Sequence, residues 1–261
     1  MHMRRTHQKL LASLLLCGVL AGGAGLAEPV QPVFQVLPAR AVSFQKRINE
    51  AAEENEDTIG WIFIDGLDID YPVLQAQDND YYLDRGADGS SFWHGCVYAD
   101  YRNTFNEGYY TPRNITLYAH NKDDHQYFAN LRDYRLLETA RQNPYIYFST
   151  KDGDEVYKVF AAFYAETQLN YNTANPSDDL MAQLIAEVKK RSEITFDVPV
   201  DSSDQLLTLS TCCYRYTYAN GQARTDQRFV VMARKLRAGE SVDDKVSMWQ
   251  NPNPKAPQFR N

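Results

Sequence analysis

Between residues 59 and 236 the apolar positions fall in short runs broken by Gly, Asp and Asn, the period of strands and turns. The runs are Ile59–Ile64, closed by Gly66, then Ile69–Leu74, Phe92–Ala99, Asn114–Ala119, Tyr145–Ser149, Glu155–Ala165, Gln205–Cys213 and Arg228–Arg234. Lys151-Asp152-Gly153-Asp154 has the composition of a hairpin turn. Two stretches change to helical spacing. Residues 39–55 carry Ala41, Phe44, Ile48, Ala51 and Ala52 among polar neighbours, and residues 177–191 carry Leu180, Leu184, Ile185 and Val188 behind Ser177 or Asp178 as a cap. Residues 126–134 read as a short helix, and 75–89 as an acidic loop. About eight strands with few helices between them predict a mainly β chain forming one closed or nearly closed barrel, with no internal repeat.

The ends of the chain follow another pattern. Arg4, Arg5 and Lys9 precede an apolar stretch from Leu10 to Leu26, so residues 1–28 read as a signal peptide or an uncleaved membrane anchor. Small residues before Glu28 suit cleavage. The basic flank would hold the N-terminus inside and place the body outside, at the extracellular face of the membrane. Residues 29–38, with three prolines, read as a stalk, which leaves 39–237 as the folded domain. From residue 238 the chain is polar and again holds several prolines, which predicts a tail without fixed structure.

Composition alters this picture little. The net charge of −7 and the absence of a basic tract exclude a nucleic-acid binder. Cysteine usage says more. Outside the leader there are Cys96, Cys212 and Cys213, an odd number for an exported chain, and adjacent cysteines rarely bridge each other. A free thiol is therefore expected, and outside the cell a free thiol needs a reason.

A thiol at the end of the Gln205–Cys213 strand, beside a polar loop and near the arginine that opens the next strand, suits an activated nucleophile. Neighbours on a strand face opposite ways, so one of Cys212 and Cys213 is active and the other packs. Among histidines, His94 inside a strand reads as structural, and His120 at a strand end is the better base. His120, Asp123, Asp124 and His125 could be read as metal ligands, but Lys122 lies among them and no second cluster appears, so no metal or other cofactor is expected.

Thr208-Leu209-Ser210-Thr211-Cys212 resembles the TLxTC signature of the sortases, with the serine of class B. Asn114 to Asn121 resembles the strand that carries the family's histidine, and Arg228-Phe229-Val230-Val231 the strand that opens with its arginine. Gly60-Trp61-Ile62, Ile69 to Val73, Asp78 to Leu83 and Asp100-Tyr101-Arg102-Asn103 are similar to further class B segments. Residues 39–236 carry the resemblance, in the order His, Cys, Arg. Three features depart from it: Ala119 stands where Gly is usual, Cys213 follows the nucleophile, and the loop from Cys212 to Arg228 is long, which leaves Arg215 and Arg224 as other candidate arginines.

The resemblance implies a closed eight-stranded sortase-type barrel with an N-terminal helix and a helix before the cysteine strand. It implies a cysteine transpeptidase of Gram-positive bacteria that cuts an Asn-Pro-x-Thr sorting signal after Thr and passes the surface protein to a peptidoglycan cross-bridge amine. Cys212 would be the nucleophile, His120 the general acid and base, and Arg228 the stabiliser of the oxyanion. Asn79, Leu83, Tyr118, Ser210 and Thr211 would line the substrate groove. A pilin-polymerising enzyme using a Lys amine and a simple hydrolytic endopeptidase are the alternatives.

Overall fold

The computed structural model describes residues 43–105, 112–122 and 125–260. The leader, the stalk and the first residues of the expected N-terminal helix lie outside them.

Alternation builds the first strand. In β1 (Thr58–Ile64), Thr58, Gly60, Ile62 and Ile64 are buried while Ile59, Trp61 and Phe63 are half-covered, the two-residue period of a strand with one face in a core. It pairs antiparallel with β2 (Ile69–Leu74) and with β5 (Tyr145–Thr150). With β3 (Val97–Ala99), β4 (Asn114–Tyr118), β6 (Val156–Glu166), β8 (Leu206–Cys212) and β9 (Gln227–Lys235), these strands close a barrel in the order β1-β2-β3-β4-β8-β9-β6-β5. Closure leaves no strand edge open. Ile62, Val97, Leu117, Phe148, Leu209 and Val231, which the strand registers place on one face, fill the interior.

Two helices pack outside. α1 (Gln45–Glu54) buries Ile48, and Phe44 just before it meets Phe63 of β1. α3 (Asp178–Arg191) opens on Ser177, whose hydroxyl accepts the Leu180 N–H. It lies against β6, which is why that strand is buried along nearly its whole length. Its inward stripe is Met181, Leu184, Ile185 and Val188, whereas Leu180, expected there, faces solvent.

Three other expectations need correction. The apolar run 92–99 is a strand only from Val97. A turn at residues 92–95 precedes it, closed by the Gly95 N–H on the Phe92 carbonyl, so His94 lies in that turn. Residues 126–134 do not form an α-helix. A 3-10 turn at Ala129–Arg135 is followed by α2 (Leu137–Gln142).

The polar tail is the third. It runs a fixed course, in which β10 (Met248–Gln250) pairs with β7 (Ile194–Phe196) and Met248 is buried. Upstream of it, Glu240 accepts both Nη atoms of the fully buried Arg234, at 2.5 and 2.6 Å. A few anchors fix an otherwise polar segment.

Candidate active site

The parallel pairing of β4 with β8 sets Tyr118 opposite Ser210. Two residues further along each strand, His120 and Cys212 therefore leave the sheet at the same rim. On the other side of β8, the antiparallel register sets Cys212 directly opposite Arg228 of β9. Side-chain bonds lock the β4 and β8 ends together: the Thr211 hydroxyl donates to the Ala119 carbonyl at 2.9 Å, and Asn121 Nδ2 donates to the Cys212 carbonyl at 2.8 Å.

The alternation of strand faces separates the two adjacent thiols. Cys213 is 2% exposed and its Sγ meets Gln227 Oε1 at 3.5 Å. Burial pushes the Cys213 thiol up to about 12, and does the same to Cys96. Cys212 is only partly covered and lines a cleft of about 300 Å³ together with His120 and Arg228. It is the one described cysteine on that cleft.

His120 Nε2 lies 2.7 Å from the Leu83 carbonyl, which can only accept, so Nε2 carries the hydrogen and Nδ1 is the nitrogen left to exchange a proton. The Leu83 carbonyl is itself well placed. Tyr82 beside it is buried, with its hydroxyl donating to Asp57 at 2.6 Å and accepting from Asn55 at 2.9 Å. Gly95, at φ +63°, passes so close that a Cβ there would stand 2.7 Å from the Leu83 oxygen, which a side chain would not permit. Burial lowers the His120 pKa, the charges of Lys122 and His94 lower it further, and the Leu83 bond opposes them. The ring is thus mainly neutral at neutral pH.

Arg228 is anchored through Nη1 to the carbonyls of Gln227 and Thr225, at 2.8 and 3.0 Å. The two other candidate arginines sit elsewhere. Arg224 is forked onto Asp226, and Arg215 lies over the Tyr164 ring; neither lines the cleft. His125 bonds Asn130 through Nδ1. Among the described residues no group of three or more His, Cys, Asp and Glu is placed to hold a metal ion.

Asn79, Leu83, Tyr118, Ser210 and Thr211 all line the cleft. The hydroxyls of the last two are engaged internally, Ser210 with Tyr171 and Thr211 with Ala119. Tyr98, Thr167, Tyr171 and Asn172 also line it and were not foreseen. Asp100 organises one wall. Fully buried, it accepts from the Tyr118 hydroxyl at 2.8 Å, from Asn79 at 3.2 Å and from a fork of Arg102. Asn172 in turn donates to the Tyr118 hydroxyl. Asn114 ties in the far wall, accepting from Thr208 and donating to the carbonyls of Tyr171 and Thr173. A polar residue at the head of the apolar β4 run was the signal for that link.

A sequence model of the sortase domain matches residues 62–236. Sortase B of Listeria monocytogenes is 36% identical over 171 residues, 64% of this chain and 68% of its own length. Sortase B of Staphylococcus aureus is 31% identical over 212 residues, 80% of this chain and 83% of its own. The solved structure of a Staphylococcus aureus sortase B-substrate complex superposes with a TM-score of 0.66 at 30% identity, covering 75% of this chain and 87% of that one.

Proposed function

The chain belongs to the sortase family, class B, and is a cysteine transpeptidase; from that premise we propose that it cleaves an Asn-Pro-x-Thr sorting signal after Thr and transfers the protein to an amine of the cell wall. The observation that carries the reading is the meeting of three strand ends at one rim, with His120, Cys212 and Arg228 on the same cleft.

In this reading the sorting signal lies in the cleft with its Thr carbonyl carbon at Cys212 Sγ. As sulfur attacks, the thiol proton passes to the neutral His120 ring, and the carbonyl oxygen becomes an oxyanion beside Arg228. A guanidinium suits that task because it does not lose its charge at any working pH. The tetrahedral species collapses, the C–N bond breaks, and the imidazolium gives its proton to the departing amine. A thioester on Cys212 remains. An incoming amine then loses a proton to His120, attacks the thioester and releases Cys212. Transfer outruns hydrolysis when that amine is held better than water. Asn79, Leu83, Tyr118, Ser210 and Thr211 shape the groove for the signal. The basic flank and apolar stretch in residues 1–28 support work at the outer face of the membrane, held by the N-terminus.

Incubating the protein with a fluorogenic Asn-Pro-x-Thr-Gly peptide, with and without an added glycyl or diaminopimelyl amine, tests the reading. Ligated product that rises with amine concentration is expected. Cleavage indifferent to amine, or retained in full by Arg228→Ala, would overturn it.

A further inference from the structure

The family match ends at residue 236, yet the chain continues along a fixed path to the loop between β8 and β9. β10 joins β7, Asn251 Nδ2 donates to the Ser192 carbonyl, and the Lys255 N–H donates to the Lys190 carbonyl. Lys255 Nζ reaches Glu187 at 2.6 Å, and the Gln258 N–H reaches Glu166 at 3.1 Å. The segment then ends on the loop that joins Cys212 to Arg228. The Phe259 ring lies 5.4 Å from that of Tyr216, and the Arg224 guanidinium stands 4.2 Å over it. Arg224 also donates to the Arg260 carbonyl.

We propose that residues 251–260 form a strap that positions Arg228 by holding this loop, with Phe259 and Arg224 as its clasp. The proposal rests on Arg228 acting on the substrate carbonyl. Arg228 Nη1 is held by the carbonyls of Thr225 and Gln227, so the guanidinium goes where the loop backbone goes. The fully buried Gln227 ties the loop's two arms, donating to the carbonyls of Tyr216 and Arg224 and accepting from the Tyr216 N–H. Beyond Gln227 the loop is largely exposed, and Arg224 and Tyr216 are where the strap grips it. The grip is aromatic and cationic, a contact of moderate strength suited to fixing a surface loop. The strap also reaches the end of β6, which pairs with the Arg228 strand: Glu166, which receives Gln258, precedes Thr167 on the cleft, and the Thr167 N–H donates to the Asp226 carbonyl at the loop's end. Phe259 and Arg224 are positioning residues, since neither lines the cleft.

Three variants of the full chain decide it: Phe259→Ala, Phe259→Tyr and Arg228→Ala. In Phe259→Ala, amides of residues 214–227 should exchange with deuterium at least about tenfold faster while barrel amides keep their rates. Thioester formation with the sorting peptide should fall about tenfold, mostly in kcat, while alkylation of Cys212 by iodoacetamide, which needs no oxyanion donor, stays within about twofold. Phe259→Tyr keeps the ring and should restore both readouts. Unchanged exchange in the loop would overturn the strap. Faster exchange with undiminished acylation, or acylation and alkylation falling together, would overturn the positioning role. Arg228→Ala that acylates like the wild type would locate the fault in the role given to Arg228, and not in the strap's hold on the loop.

Discussion

Replacing Asp100 with asparagine keeps the shape of the side chain and removes its charge. Asp100 is fully buried and accepts from five donors: the Arg102 N–H, Nε and Nη2, the Tyr118 hydroxyl and Asn79 Nδ2. An amide has one accepting oxygen, so its NH2 must face donors whichever way it turns. Arg102 is 42% exposed and can turn to water, so its share is small. The bonds to Tyr118 and Asn79 lie in the wall, and charge-assisted bonds of that kind contribute roughly 1.5–3 kcal/mol each. A loss of about 3 kcal/mol is expected, or a melting temperature lower by about 6–12 °C for a domain of this size. Because both freed side chains line the cleft, a wall relaxed by about 1.4 kcal/mol toward substrate lowers kcat/KM about tenfold, chiefly through KM. Urea unfolding and peptide acylation kinetics on the same preparation measure the two effects. A stability loss under about 1 kcal/mol with unchanged kcat/KM would refute the argument. The pH sign follows from the same contacts. Burial alone would raise the Asp100 carboxyl, but its bonds to Arg102 and Tyr118 outweigh burial and hold it below the ordinary value. Its stabilisation is therefore present above about pH 3.9, the unfolded value, and is lost as the pH falls further.

Glu240→Gln leaves the fully buried Arg234 without a counter-charge and should cost about 3 kcal/mol, read by urea unfolding at neutral pH. The bond to Arg234 holds the Glu240 carboxyl well below its usual range, so this stabilisation is full above the unfolded value of about pH 4.3, and the gap between variant and wild type should narrow progressively as the pH falls below it toward the depressed folded value. Lys122→Gln removes one of the cations facing His120, so the imidazole should titrate at higher pH, while burial, the larger cause, still keeps it below a free histidine. An NMR titration of the ring protons reads this directly, and a shift the other way would contradict it.

The barrel was legible because period-two runs such as β1 and buried runs such as β8 are decided locally, by which side chains can face a core. His120, Cys212 and Arg228, which the structure brings to one cleft, were picked out by the resemblance of their strands to the family's, and spacing alone offered them only as strand-end candidates. The turn at 92–95 was hidden inside an apolar run: Phe92 and Trp93 suit a strand, and only Gly95, with its positive φ, marks the break. The tail misled for the opposite reason. Its prolines and charges outweigh Met248 and Phe259 in any window, yet those two side chains and the Arg234–Glu240 pair fix its path, and pairing across so many residues leaves no local trace. Tyr171 and Asn172 went unnoticed because the 167–175 loop has no periodicity, and what holds it is Asn114, distant in sequence. Arg224 and Arg228 could not be separated by spacing. The β8–β9 register separates them, by setting Arg228 opposite Cys212.

Cys212 and Cys213 are neighbours in sequence with opposite surroundings, one on the cleft and one buried against Gln227. Intact-mass spectrometry of the wild type, Cys212→Ala and Cys213→Ser after incubation with a sorting peptide reads which thiol reacts. An acyl adduct is expected on the wild type and on Cys213→Ser, and none on Cys212→Ala. An adduct that persists on Cys212→Ala, or disappears only from Cys213→Ser, would contradict Cys212 as the nucleophile.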